Sequence, residues 1–272
     1  MSKNFTIFGK GFVGENLQKF LKKKNCNLFM PNKGQYKFKK NLNHIVYCIG
    51  NQNWLKDPKK TYEANLNMMA KILFNNKFKS FTLISSTRLY FSNLKKNTSE
   101  NSFIKINTNE KKFLYNSLKI SAENLCLCLD KASVKVVRIS NLYANKFTNQ
   151  AYVLPSLIRD SVKNKCINFT IGKNSTKDFI HVEDAFNALF KIIMKGKYRM
   201  YNIASGQNIS LDQISKKIKR ITNCKILYKK NLITLKEPKI NITRIKKEFN
   251  FRPKYNLLDF IDKLIKNQKN SY

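Results

Sequence analysis

The stretch Asn4-Phe5-Thr6-Ile7-Phe8-Gly9-Lys10-Gly11-Phe12-Val13-Gly14 decides the fold class of this chain. Its first five residues form an apolar run that predicts a buried β-strand, and apolar residues then recur at helical spacing. Gly9 would allow a tight turn, Gly11 close approach of the backbone to a pyrophosphate, and Gly14 close packing of helix on strand. A plain glycine-rich turn is the alternative. We predict a dinucleotide-binding turn in which the cofactor is contacted by Gly9, Lys10, Gly11, Phe12, Val13 and Gly14.

Strands and helices continue to alternate after this turn. Apolar runs predict further strands over residues 27–30, 44–49, 81–85 and 134–139, and helical spacing predicts helices over 61–74 and 109–129. Later helices are expected over 182–194, 211–221 and 257–266. This order predicts an α/β fold with a doubly wound parallel sheet of the Rossmann type. We place that core at residues 1–145 with a return crossing near 175–195, and assign most of 146–272 to a smaller C-terminal substrate lobe.

The composition is strongly basic. The 272 residues include 53 Lys and Arg but only 16 Asp and Glu, for a net charge of +37. Such a charge can attract a polyanion such as nucleic acid or a membrane surface. The lysines are spread over nearly every predicted helix, which favours compositional drift instead, although the field would still help to bind an anionic substrate. Nucleic acid is therefore not the expected partner.

Membrane and metal functions are not expected. No apolar stretch approaches the roughly 20 residues that span a bilayer, and the first strand follows the N-terminus too closely for a signal peptide. We expect a cytoplasmic protein without membrane insertion. The six cysteines form no C-x-x-C pair, and Cys126 and Cys128 are too closely spaced for the usual zinc knuckles and have no nearby histidine, so we expect reduced thiols and no metal site.

Tyr115 and Lys119 lie one helical turn apart, on one face of the predicted helix over 109–129. A free tyrosine has a pKa near 10, which makes it a poor proton-transfer group at neutral pH. We expect the charge of Lys119 to lower the pKa of Tyr115. Ser86 follows a buried strand, where its hydroxyl can bond a substrate oxygen or cap the backbone. The pattern indicates a nicotinamide-dependent redox site.

The residues expected at the cofactor ribose do not include an acid. The segment Met30-Pro31-Asn32-Lys33 ends the second predicted strand, where an acidic side chain usually holds the ribose 2′-hydroxyl. Asn32 can bond a hydroxyl, whereas Lys33 can meet a 2′-phosphate. The cofactor is therefore NAD or NADP, with a slight preference for NADP.

With these motifs the chain resembles the extended short-chain dehydrogenase/reductase family, in its NAD-dependent epimerase/dehydratase branch. The resemblance extends over nearly the whole chain. It is carried by the glycine turn, Asn65, Ser86 four residues before Tyr90, the Tyr115/Lys119 pair, Glu123, and the segments 138–143, 177–184, 201–206 and 249–253.

The resemblance implies residue roles. Tyr115 would exchange a proton with a sugar hydroxyl while hydride moves to or from nicotinamide. Ser86 would hold the same oxygen, and Lys119 would bind the nicotinamide ribose. We also place Cys48 and Asn65 at the cofactor and Thr87, Asn141 and Lys177 at the substrate, with Lys177 near its diphosphate. His181 is expected to be structural, while Trp54 either lines the site or packs in a loop.

The resemblance also implies a substrate class. Sugar dehydratases of this branch carry an Asp-Glu pair where this chain has Thr87 and Arg88, so dehydration is not expected. Epimerisation and keto-sugar reduction of a nucleotide-activated sugar stay open, for polysaccharide biosynthesis and with a homodimer formed through the Tyr115 helix. Two other classes remain as alternatives, a nucleic-acid-binding protein that has lost catalysis and an NADP-sensing regulator.

Overall fold

A six-stranded parallel sheet forms the centre of the computed structural model, which describes residues 3–92, 97–129, 131–146, 152–228 and 231–270. The strands, in chain order, are β1 (Asn4–Phe8), β2 (Asn27–Phe29), β3 (His44–Tyr47), β4 (Ser80–Ser86), β5 (Asn97–Thr98), β6 (Val134–Ile139), β7 (Asn141–Tyr143), β8 (Cys166–Asn168), β9 (Thr176–His181), β10 (Met200–Ile203), β11 (Asn208–Ser210), β12 (Lys225–Leu227) and β13 (Lys239–Ile240).

The helices alternate with the strands of this sheet. They are α1 (Phe12–Lys23), α2 (Pro58–Tyr62), α3 (Met68–Asn75), α4 (Leu114–Cys128), α5 (Val153–Lys163), α6 (Val182–Lys195), α7 (Leu211–Thr222), α8 (Thr243–Phe249) and α9 (Leu257–Lys269). A π-helical turn, Glu63–Asn67, joins α2 to α3, and 3₁₀ turns cover Thr87–Ser92 and Lys111–Phe113. Among the described residues, no helix is both long and apolar enough to cross a bilayer.

The strand order of the sheet is β10-β6-β4-β3-β1-β2, with every neighbouring pair parallel. Strands β3 and β6 are buried along their whole length because helices cover both faces of the sheet. One apolar cluster includes residues of α1 and α6, and a second includes residues of α3 and α4. The predicted doubly wound α/β fold is confirmed. The chain reverses its direction of winding between β1 and β3, which opens a crevice at their carboxyl ends.

The C-terminal part of the chain has an apolar cluster of its own. Leu157 of α5, Ile214 of α7 and Ile261 of α9 are buried together there, beside the small β8–β12 sheet. After the crossing expected near residues 175–195, the chain adds β10 to the central sheet, in register with β6. Neither β10 nor α5 was predicted. Strand β10 is only four residues long, whereas α5 was missed although Leu154, Leu157 and Ile158 recur at helical spacing.

Two predicted helices have different bounds in the structure. The helix expected over 61–74 begins earlier, since the Asp57 side chain accepts a hydrogen bond from the Lys60 N–H and Pro58 occupies the first turn. It is then interrupted by the π-helical turn around Asn65. The helix expected from residue 109 begins at Leu114, after the turn Lys111–Phe113.

Candidate active site

The glycine turn lies at the carboxyl end of β1, at the edge of the crevice. Gly9 has a φ of +123°, which favours glycine, and a methyl group at Gly14 would lie 1.8 Å from the Gly9 carbonyl oxygen. Gly11 instead faces open space, since a methyl group added there would have no other atom within 4 Å, and no side chain caps the start of α1. The backbone N–H groups there are available to a phosphate. The turn therefore fits a dinucleotide.

The structure brings Lys10 of the glycine turn to Asn32, one of the two residues predicted at the cofactor ribose. The Lys10 Nζ donates to Asn32 Oδ1 at 3.3 Å, and Lys33 lies beside Asn32 on the surface. An exposed cluster with two lysines and no acid is a place where an additional phosphate can be held.

Lys119 is buried under the end of β4. Its side chain is embedded, with 3% of the residue exposed, and Nζ donates to the Ile84 carbonyl at 2.9 Å. Burial lowers the pKa of Lys119 to about 8, against the opposing charge of Glu123. The neighbouring Cys48 donates from Sγ to the Phe8 carbonyl at 3.2 Å, and its Sγ lies 3.5 Å from a methyl position at Gly14. Cys48 thus packs against the glycine turn, and its thiol is near enough to Lys119 to interact with the charge of the ammonium.

Tyr115 lies on the same helix and is also buried, with 4% of the residue exposed. Burial raises the pKa of Tyr115 to about 12, although the positive charge of Arg88 and a hydrogen bond with Gln52 oppose this shift. The expectation that Lys119 would lower this pKa is wrong for this structure. The lysine ammonium is bound to a backbone carbonyl, and loss of water around the phenol has the larger effect.

Ser86 is the last residue of β4 and is half-buried. Its Oγ accepts a hydrogen bond from the Arg88 N–H at 3.1 Å, so the backbone-capping role considered for it is observed. A hydroxyl that accepts one hydrogen bond still has its own proton to donate. Thr87, the next residue, is buried.

A stack of Arg88 on Trp54 was missed at the level of sequence. The Arg88 guanidinium carbon lies 4.7 Å from the centroid of a Trp54 ring and 5.9 Å from that of Tyr115. The Trp54 and Tyr115 ring centroids are 6.0 Å apart, so Trp54 lines the site. The available signal was an arginine two residues after Ser86, at a position where the resemblance implies an acid in sugar dehydratases.

The predicted substrate residues Asn141 and Lys177 lie next to each other, on the paired strands β7 and β9. Lys177 is not a free cation, because its Nζ lies 2.5 Å from Glu237 Oε1 and both side chains are largely buried. Asn141 donates to the Asp178 carbonyl at 2.8 Å and lies 3.5 Å from Glu237 Oε2. Glu237, which the sequence did not indicate, contacts both of these residues.

Asn65 holds the loop after β3 in place. Its Nδ2 donates to the carbonyls of Asn51 and Thr61, both at 2.8 Å, from the π-helical turn. Its Oδ1 is buried without a hydrogen-bond partner and faces Gly50. Asn65 therefore positions the loop that carries Gln52 and Trp54 over Tyr115.

Several motif residues support the site without lining it. Arg138 binds Glu123 and also donates to the Tyr90 hydroxyl at 2.7 Å, joining α4 to β6. Asp178 accepts hydrogen bonds from Ser140, Ser205, Gly206 and Gln207. His181 caps α6 by accepting from the Glu183 N–H at 3.3 Å, as expected for a structural histidine. Among the described residues, no three potential metal ligands converge.

A parallel sheet with a glycine turn at its switch point and a buried tyrosine–lysine pair defines a dinucleotide-binding α/β protein. More particularly, the chain belongs to the NAD dependent epimerase/dehydratase family, whose family model matches residues 38–204. This confirms the resemblance seen in the sequence motifs. No curated protein matches the sequence.

Solved structures similar to this chain share its whole architecture. RMD from Pseudomonas aeruginosa, complexed with NADPH, is 17% identical with a TM-score of 0.80, covering 99% of this chain and 100% of that one. UDP-glucose 4-epimerase from Thermotoga maritima, with UDP-glucose, is 15% identical with a TM-score of 0.81, covering 98% and 99%. A mutant UDP-glucuronic acid 4-epimerase from Bacillus cereus is 16% identical with a TM-score of 0.82, covering 99% and 100%. At these identities the likeness is one of fold.

Proposed function

We propose that this chain is an enzyme that transfers hydride between NAD or NADP and a nucleotide-activated sugar, as an epimerase or a keto-reductase. One observation carries the proposal. Tyr115 and Lys119 are buried on α4, Lys119 donates to the Ile84 carbonyl near the carboxyl end of β4, and Cys48, whose thiol interacts electrostatically with Lys119, donates to the Phe8 carbonyl just before the glycine turn. A proton-transfer group therefore lies next to the crevice that fits a dinucleotide.

The glycine turn, Cys48, Asn65 and Lys119 would hold the cofactor, with Asn32 and Lys33 at its adenosine ribose. When bound, the cofactor would accept or donate the hydride. The Lys10–Asn32 pair favours NADP, because these side chains can bind a 2′-phosphate and no acid is there to repel it. Among similar structures, RMD holds NADPH and the Bacillus cereus epimerase holds NAD, which supports either cofactor.

Tyr115 would move the proton. With its pKa raised to about 12, the phenol is protonated at neutral pH and suits donation to the oxygen of a keto-sugar. The Ser86 hydroxyl, which donates to no acceptor among the described residues, would donate to the same oxygen. In the oxidising direction the same phenol would have to lose its proton, which the charge of Arg88 assists. General acid–base catalysis of this kind contributes about 10²–10⁴ in rate.

The substrate assignment is a nucleotide sugar. The Thermotoga maritima structure contains UDP-glucose, and the Bacillus cereus structure contains a UDP-glucuronic acid analogue, which supports this class. The substrate would be contacted by Thr87, Asn141, Lys177 and Glu237. Lys177 and Glu237 would contact it as an ion pair. Thr87 and Arg88 provide no carboxylate for elimination, so dehydration is not proposed.

The test is to purify the chain, identify any bound nicotinamide by absorbance and mass spectrometry, and assay UDP-, GDP- and dTDP-sugars with NAD and NADP. Gly11→Asp is the matched variant, because the open space at Gly11 accommodates the side chain while its charge repels a pyrophosphate. We expect wild type to bind cofactor and convert a sugar, and Gly11→Asp to unfold at the same temperature but lose cofactor binding. Equal cofactor binding by both proteins, or no turnover on any sugar, would contradict the proposal.

A further inference from the structure

The guanidinium of Arg88 lies beside Tyr115, and the proposed reaction assigns it no ligand. Arg88 follows Ser86 by two residues, in the 3₁₀ turn Thr87–Ser92. Its guanidinium carbon lies 4.7 Å from a Trp54 ring centroid and 5.9 Å from that of Tyr115. A cation–π contact of this kind holds a guanidinium by its face. The planar guanidinium of Arg88 is therefore held beside Tyr115.

No described carboxylate neutralises the charge of Arg88. Within residues 3–92, 97–129, 131–146, 152–228 and 231–270, no carboxylate forms an ion pair with it. Arg138, in contrast, is paired with Glu123, and Arg199 donates to several backbone carbonyls at the end of α4. A guanidinium has five N–H donors along its edge, and stacking on Trp54 leaves these donors available.

We infer that the Arg88 guanidinium binds a carboxylate carried by the sugar, so that the preferred substrate is a nucleotide-activated uronic acid and not a neutral hexose. The inference rests on the proposed function and adds the substrate class. The planar fork of arginine matches a carboxylate in a bidentate arrangement, whereas neutral sugar hydroxyls do not require a formal charge. In a protein of net charge +37, an additional acidic group on the substrate is also favoured.

The position of Arg88 argues for the sugar over the diphosphate as its ligand. Arg88 borders Tyr115, which must touch the oxygen of the reacting carbon. The diphosphate is assigned to Lys177, which lies on β9 and not on the turn after β4 that carries Arg88.

The experiment compares two substrates that differ only at the carboxylate, UDP-glucuronate and UDP-glucose, with full-length protein and saturating cofactor. If another nucleotide is preferred in the sugar panel, the matched pair carries that nucleotide. The readout is the ratio of kcat/KM for the acidic over the neutral sugar. We expect a ratio of about 10–100 in wild type, the range for a hydrogen-bonded charge pair. In Arg88→Gln the ratio should fall to about 1, mainly through a higher KM for the acidic sugar.

Two variants separate this role from others. Arg220→Gln removes the same charge from an exposed position on α7 and should leave the ratio unchanged. Arg88→Lys keeps a positive charge beside Tyr115 but loses the fork, so the neutral-sugar rate should be retained while the ratio falls. Cofactor binding by each variant reports that it is folded.

Three results overturn the inference. If Arg88 only assists ionisation of Tyr115, Arg88→Gln slows both sugars equally and the ratio stays constant. If wild type converts neutral sugars as well as acidic ones, the inference fails while the proposed function stands. If wild type binds cofactor but neither binds nor converts any nucleotide sugar, the proposed function fails and this inference fails with it.

Discussion

Helix α4 carries two buried charged residues one turn apart, Lys119 and Glu123, and they differ in their hydrogen-bond partners. Glu123 is bound by the Arg138 guanidinium, with Nε 3.0 Å from Oε1 and Nη2 2.5 Å from Oε2. Lys119 has no comparable partner among the described residues and donates to a single backbone carbonyl. The difference indicates that Glu123 joins the helix to the sheet, whereas Lys119 retains donors for a ligand.

The largest expected effect on stability concerns Glu123, whose charge is paired with Arg138. Glu123→Gln leaves the Arg138 guanidinium buried without its counter-charge, which should cost about 3–5 kcal/mol in the free energy of unfolding. Urea unfolding followed by circular dichroism measures this change. The double variant Glu123→Gln/Arg138→Met should recover most of the loss, since no unpaired charge remains. A loss below about 1 kcal/mol in the single variant would contradict the distinction between the two charges.

Lys119, which has no charged partner among the described residues, should matter for turnover and not for stability. Lys119→Met removes a buried cation that has no carboxylate bound to it, so the free energy of unfolding should stay the same or rise. Turnover should fall by about 10³-fold, because the ammonium is proposed to bind the nicotinamide ribose. Stopped-flow assays and urea unfolding on one preparation check both results. Loss of stability without loss of turnover would make Lys119 structural.

A smaller effect on the free energy of unfolding is expected from His181, a buried histidine whose lowered pKa keeps it neutral. Burial lowers its pKa from 6.5 to about 4, so the unfolded chain binds more protons between these pH values. Its contribution to stability is therefore complete above pH 6.5 and is lost as the pH falls to about 4, by up to about 3 kcal/mol.

The histidine prediction is checked by urea unfolding of wild type and His181→Phe across this pH range. Phenylalanine keeps the ring contacts with Tyr143, Tyr255 and Phe260 but does not titrate. His44, whose pKa is also lowered by burial, contributes with the same sign to both proteins and cancels. Stability curves that run parallel over the acid range would refute the assignment.

Local features were predictable from the sequence. The glycine turn depends on neighbouring residues, since Gly9 needs its left-handed φ and Gly14 needs contact with Gly9. The Tyr115/Lys119 pair depends only on helical spacing. The central sheet followed from apolar runs that are buried on both faces. In each case the physical cause lies within a few residues of the feature.

Contacts between distant segments were not predictable. Arg88 contacts Trp54, which is 34 residues away in the sequence, and Lys177 contacts Glu237, which is 60 residues away. No local sequence pattern indicates either contact. The direction of the Tyr115 pKa shift was wrong for a related reason. Helical spacing shows that a lysine is near, but it does not show that Lys119 is bound to Ile84 or that a loop covers the phenol.

The central claim is that Tyr115 transfers the proton that accompanies hydride transfer, and single-turnover kinetics tests it most directly. The experiment compares wild type with Tyr115→Phe and with a control variant, Tyr198→Phe. The control removes the hydroxyl of an exposed tyrosine at the opposite end of the sheet. Each protein is saturated with cofactor and sugar, and nicotinamide absorbance is followed. We predict that all three bind both ligands, that Tyr198→Phe reacts like wild type, and that Tyr115→Phe is slower by about 10²–10⁴. Equal rates for Tyr115→Phe and wild type would contradict the claim.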